Sequence, residues 1–214
     1  MTYPVKSYAA FSATTDLEPH SFERRELRED DVLIDILYCG VCHSDLHTAR
    51  NDWGWTHTYP IVPGHEIIGR VTKVGSKANK FQIGDLVGVG CMVDSCRTCS
   101  PCQKGLEQYC ENGNTGTYGS HDRFDGTLTQ GGYSTGVVVS EDFVLKVSEK
   151  LDTKAVAPLL CGRHYHLLAT PPLECAKRLK SRCNWLGWSW AYGSKISCCD
   201  GSGSYFIYSF GRQI

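Results

Sequence analysis

The chain has 214 residues, 41% of them hydrophobic and 21% charged, with a formal net charge of −1. These values suit a soluble globular protein able to bury a core, and the interleaving of Lys/Arg with Asp/Glu leaves no basic face for nucleic acid or an anionic membrane. No run of about 18 apolar residues exists to span a bilayer, and the opening MTYPVKSYAAF carries no export signal, so a cytoplasmic location is expected.

From Asp31 to Val147 the chain alternates short β-rich runs with Gly, Pro and Asn punctuation: DVLIDILYCGV, IIGRVTKVG, DLVGVGCMV, GGYSTGVVV and FVLKV. This pattern predicts a mainly β fold with short helices, mostly antiparallel and partly closed. Between the first two runs, Cys42 to Arg50 reads as a short helix or loop following a strand, a junction at which chemistry tends to sit. That segment supplies Cys42, His43, Ser44, Asp45 and His47, and Pro63-Gly64-His65-Glu66 follows about twenty residues later. Far downstream lies Cys161. Cys42, His65 and Cys161 would make a Cys₂His set, which leaves one zinc position open and is the arrangement of a catalytic site. Zinc there supplies Lewis acidity that lowers the pKa of an alcohol oxygen. Asp45 and Glu66 are the natural carboxylates to orient His65 or stabilise the centre. Singly, each residue also reads as a packed or solvated side chain: His43, His47 and His57 as surface histidines, Cys39 and Cys91 as inert buried thiols, and Trp53, Trp55 and Tyr59 as either an aromatic pocket or ordinary core.

Cys96, Cys99, Cys102 and Cys110 follow the spacing C-x₂-C-x₂-C-x₇-C in a polar, turn-rich stretch that could bury no core of its own. The spacing suits a closed tetrahedral zinc site whose binding energy would be folding energy. Two disulfides or an iron–sulfur cluster rank lower, because nothing points to an oxidising compartment and the ferredoxin run ending in C-P is missing.

Together, GVCHSD, PGHE and the four-cysteine lobe occur in the order and at the spacing of the zinc-containing medium-chain alcohol dehydrogenases, which the chain resembles from Lys6 to Cys161. Within that family it looks most like the cinnamyl alcohol dehydrogenase-like branch, through HSDLHTARNDWGWTHTYPIVPGHEIIGRV, GCMVDSC, LEQYC, TGTY and GGYS. The resemblance implies a GroES-like, partly open β-barrel catalytic domain over 1–161. It implies two zinc ions per chain, one on Cys42, His65 and Cys161, the other on the four lobe cysteines. It places Glu66 beside the catalytic metal, makes Ser44 the hydroxyl that passes the alcohol proton outward and sets His43 near the cofactor. The implied cofactor is NADP or NAD, the implied partner a small alcohol or aldehyde, and the intact family form a homodimer. A zinc-free quinone reductase relative would lack both Cys42-His43 and the lobe.

After Cys161 the family continues into a Rossmann domain with a G-x-G-x-x-G turn, whereas residues 162–214 hold only Gly201-Ser202-Gly203 with no strand before it. These residues read as an aberrant tail in a shifted frame. Trp185 to Gly193 back-translates to codons that, regrouped by one base, spell G-L-G-G-L-G-H-M, and one extra base at the codons after Cys161 accounts for the change. The continued regrouping yields T-R-S after a second strand, whose arginine favours NADP. The expected product is therefore a truncated, inactive zinc-dependent alcohol dehydrogenase that holds close to one zinc tightly, since the third ligand of the catalytic zinc begins the altered tail. The alternative is a non-enzymatic zinc-binding β-barrel remnant.

Overall fold

A computed structural model describes residues 2–161. In chain order the elements are strands β1 (Tyr3–Ala9), β2 (Glu18–Arg24) and β3 (Asp31–Cys39), helix α1 (His43–Ala49), strands β4 (Ile67–Val74), β5 (Leu86–Val89) and β6 (Met92–Asp94), helix α2 (Ser100–Gln103), strands β7 (Thr115–Gly116), β8 (Gly136–Ser140) and β9 (Val144–Lys146), and helix α3 (Thr153–Val156). Residues 162–214, with the shifted tail and Gly201-Ser202-Gly203, lie outside the described residues.

The main sheet has the order β8-β3-β4-β5-β9 and every pairing is antiparallel. Strand β3 lies inside the sheet, between β8 and β4, because DVLIDILYC buries both faces for most of its length, as a near-continuous apolar run requires. Two register shifts against β4, between Leu33 and Ile34 and between Ile36 and Tyr38, bend β3 and curl the sheet towards closure. Val32, Ile34, Ile67, Val71, Val87, Val89, Val137 and Val139 fill the interior, each worth about 1.5–3 kcal/mol of apolar burial.

Strands β1 and β2 form a separate ribbon, which the sequence pattern had not marked as strands. The ribbon closes the open side: Tyr8 N donates to Tyr133 O at 2.9 Å, Thr135 N to Lys6 O at 2.9 Å, and Ala10 exchanges backbone bonds with Ile61. The run expected from Gly131 begins as a strand only at Gly136, and Gly131–Thr135 instead bridges the ribbon and the Pro63–His65 loop. The DLVGVGCMV run divides at Gly90-Cys91 into β5 and β6. This division turns the chain out of the barrel and into the cysteine lobe. Among the described residues no helix is long and apolar enough to cross a membrane.

Candidate metal centres

The sequence brings three separated segments to one point. Strand β3 ends at Cys39, the chain turns through Gly40, and Cys42 becomes the N-cap of α1, where its N–H donates to Asp45 Oδ2 at 2.9 Å. The Pro63–Glu66 loop arrives from the other side through Gly64 at φ +102°, where a Cβ would lie 2.7 Å from the Tyr133 ring, so only glycine fits. The chain after α3 delivers Cys161, buried like His65 and Glu66. One ligand atom from each of Cys42, His65, Glu66 and Cys161 lies within 4.8 Å of the others. The Cys42 and Cys161 sulfurs are 3.9 Å apart, close to the roughly 3.8 Å that two 2.3 Å zinc–sulfur bonds span in a tetrahedron.

The protonation pattern is that of ligands crowded together. The neighbouring Cys161 and then burial push the Cys42 thiol up to about 12. Burial, followed by the nearby Cys42, raises the Glu66 carboxyl to about 8. Burial opposes charging His65, but its bond to Asp45 and contacts with the thiols outweigh that and raise its pKa. Glu66 Oε2 is buried with no hydrogen-bond partner, and a Cβ at Gly40 would come within 2.1 Å of it. A buried carboxylate oxygen without a proton donor, facing two thiols and an imidazole, fits a cation, and the nitrogen–sulfur–oxygen donor set fits zinc.

Of the other predicted residues, Asp45 is buried and accepts from His65 Nδ1 at 3.0 Å. Burial works against its ionisation, yet the bonds from His65 hold it below the usual carboxylate range. Ser44 Oγ is 3.5 Å from the Cys42 sulfur. His43 begins α1, is exposed and packs edge-on against His47 at 4.4 Å. Cys39 is buried as expected, but Cys91 is exposed, because it sits at the turn between β5 and β6 and not inside a strand. Beside Cys161, its thiol is drawn down to about 5. Trp53 and Trp55 are exposed, with ring centroids 5.1 Å apart, while Tyr59 packs into a small cluster with Ala10, Ala49 and Ile61. Sequence reasoning assigned no role to Tyr118 and Tyr133, which place hydroxyls 3.1 Å from His65 Nδ1 and 2.9 Å from Asp45 Oδ2. Their only signal was membership in the TGTY and GGYS motifs.

The second centre is local. Cys96, Cys99, Cys102 and Cys110 converge within 4.8 Å, with Cys96–Cys102 at 3.9 Å and Cys99–Cys102 at 3.3 Å. Backbone N–H groups of Cys96 and Cys99 point at the sulfurs of Cys110 and Cys96, each at 3.4 Å, as they would at thiolates. Arg97, at φ +59°, reaches from the lobe to Asp94, Asp30 and Asp142 at 3.0, 2.9 and 3.2 Å.

Residues 28–149 match the Alcohol dehydrogenase GroES-like domain family. The chain belongs to the zinc-dependent medium-chain alcohol dehydrogenases, in their cinnamyl alcohol dehydrogenase-like branch. Among curated relatives of this family, the NADP-dependent alcohol dehydrogenase C 1 of Mycolicibacterium smegmatis is 53% identical over 159 residues, covering 74% of this chain and 45% of the relative. The probable mannitol dehydrogenase 1 of Stylosanthes humilis is 57% identical over 155 residues, covering 72% and 43%. Among solved structures, CAD from Helicobacter pylori complexed with NADP(H) gives a TM-score of 0.75 at 43% identity, covering 83% of this chain and 50% of that one. A cinnamyl alcohol dehydrogenase from Sorghum bicolor gives 0.72 at 44%, covering 79% and 50%. The chain thus spans less than half the length of these curated relatives.

Proposed function

We propose that residues 1–161 are the catalytic domain of an alcohol dehydrogenase that exchanges hydride between a small alcohol or aldehyde and NADP. The single observation that carries this reading is the convergence of Cys42, His65, Glu66 and Cys161 within 4.8 Å around an unpartnered Glu66 oxygen. Cys42, His65 and Cys161 hold the catalytic zinc, and Cys96, Cys99, Cys102 and Cys110 hold a structural one. When bound, the zinc would supply Lewis acidity towards an alcohol oxygen and NADP would supply the hydride-accepting ring. The protein's share is orientation and proton movement. Asp45 fixes the His65 ring, Glu66 places a carboxyl beside the ligand set, Ser44 offers a hydroxyl two residues from a ligand to carry the alcohol proton outward, and the exposed His43 would help to hold the cofactor. The NADP-dependent name of one relative and the NADP(H) bound in the structure of another support the choice of cofactor.

Residues 162–214 are read as the start of the nucleotide-binding half in a shifted frame. On that reading the chain as written binds zinc and turns over little or no alcohol. The test compares the zinc-loaded 214-residue chain with a version whose frame is restored after Cys161. Alcohol-dependent NADP reduction by the restored protein alone is the expected result. A restored, zinc-loaded protein with no such activity would overturn the enzyme reading and leave a zinc-binding barrel remnant.

A further inference from the structure

We propose that Tyr133 is a positioning residue for His65, acting through Asp45; the proposal rests on His65 being a metal ligand. Asp45 is the point at which four donors meet. Gly64 N and His65 Nδ1 donate to Oδ1 at 2.9 and 3.0 Å, while Cys42 N and the Tyr133 hydroxyl donate to Oδ2, both at 2.9 Å. A carboxylate offers about four lone-pair sites, so these donors, with the Tyr118 hydroxyl also close by, hold the rotation of its plane. With Nδ1 committed to Asp45, His65 is left to face the Cys42 and Cys161 sulfurs through Nε2.

Tyr133 is itself held from two sides. Gly131 N donates to Val62 O at 2.6 Å, Gly132 N to Gly64 O at 2.8 Å and Tyr133 N to Pro63 O at 3.0 Å, so this segment lies directly along the backbone that carries His65. Cβ atoms at Gly131 and Gly132 would stand 2.3 Å from Pro63 O and from the Ile67 side chain, so the approach requires both glycines. From the other side, the buried Arg24 guanidinium donates to Gly136 O, Gln130 O, Gly131 O and Ser134 Oγ at 3.0, 2.5, 2.7 and 2.9 Å. The hydroxyl of Tyr133 is therefore delivered to Asp45 by rigid backbone.

Tyr118 shows what Tyr133 prevents. Its hydroxyl is 3.1 Å from the same His65 nitrogen and is an alternative, uncharged acceptor for the Nδ1 proton. Without the Tyr133 bond, Oδ2 keeps only the Cys42 N–H, the carboxylate plane is held less firmly, and the Nδ1–H hydrogen bond can shift towards the Tyr118 oxygen. The imidazole then loses the carboxylate partner that makes it a stronger metal donor.

Cobalt(II) titration of the metal-stripped 214-residue chain tests this, because its visible bands report ligand geometry and need no turnover. Wild type is expected to take up one cobalt tightly at the four thiols and a second, more weakly, at the Cys42 centre. Tyr133→Phe should weaken the second by about tenfold or more and shift its bands, leaving the first unchanged; Tyr118→Phe should change the second by less. If Tyr133→Phe does not fold, 3-fluorotyrosine at position 133 keeps the shape and strengthens the donor, and should tighten the second cobalt. Equal cobalt affinity and spectrum in wild type and a folded Tyr133→Phe variant would overturn the positioning role alone. So would equal affinity with 3-fluorotyrosine. A wild-type chain that binds cobalt only at the four thiols would overturn the Cys42 centre itself, and this proposal with it.

Discussion

The two cysteine-containing centres reach similar sulfur spacings by opposite means. The lobe takes its four sulfurs from one short stretch, Cys96 to Cys110, and orients them with its own backbone N–H groups. The Cys42 centre draws on the end of β3, the Pro63–Glu66 loop and the chain after α3. It is ordered by a buried hydrogen-bond hub on Asp45. The difference teaches that a metal site can be a property of a sequence or of a fold. The lobe needs little beyond its own turns, whereas the other centre exists only when the barrel is closed.

The sharpest way to break this comparison is to remove a lobe ligand. Cys102→Ser should abolish one equivalent of bound zinc, a loss on the order of 10 kcal/mol of metal-linked folding energy where a peptide depends wholly on its zinc. Limited proteolysis should then cut between β6 and β7 while the barrel and the Cys42 centre persist. Equal loss of both metals would show that the lobe is not autonomous.

Next in size, Asp45→Asn leaves the donors at a buried carboxylate mismatched. About 3–5 kcal/mol is expected, which for a domain of this size lowers the melting temperature by roughly 10 °C. Here the lobe metal should survive and the Cys42-centre metal should not. Calorimetry with zinc analysis reads both.

The smallest effect concerns the tie between the segment after the lobe and the barrel, where Asp122 accepts from Arg28 at 2.7 Å. Burial works against ionisation of Asp122, but the Arg28 bond outweighs it and holds the carboxyl below its ordinary 3.8. A depressed folded-state pKa means stability that is fully present above 3.8 and lost as pH falls through the lower folded value. Solvent screening limits the contribution to about 1 kcal/mol or less. Asp122→Asn should therefore lower the urea midpoint slightly at pH 6, with the difference from wild type shrinking as the pH falls below 3.8. A difference that grows on acidification would contradict the assignment.

How much of this was legible in the sequence follows from the same contrast. The convergence of the four lobe cysteines could be read from spacing alone, because they are neighbours in the chain. The barrel strands could be read wherever an apolar run is buried on both faces, as in β3. The β1–β2 ribbon could not, since EPHSFER is largely exposed and owes its form to pairing with YPVKSYA. Cys42, His65 and Cys161 could be assembled as a Cys₂His set by residue type, but each was weak singly and the set gained force through resemblance to a family, as nothing local brings residue 161 to residue 42. Tyr133 was hidden for the same reason. Its partner Asp45 is 88 residues away, and the two glycines before it look like an ordinary turn until the neighbouring backbone is seen. Cys91 was misplaced because an apolar run does not reveal that the chain turns at Gly90.

The wide separation of Cys42 from Cys161 also sets an order of events during synthesis. All four lobe thiols exist once Cys110 has been made, but the last ligand of the other centre comes about fifty residues later. At 5–20 residues per second that is roughly 3 to 10 s. Through that interval Cys42 and His65 wait beside an unfinished barrel, so the lobe should meet the cell's zinc first, and filling of the second centre becomes a marker that the domain has closed.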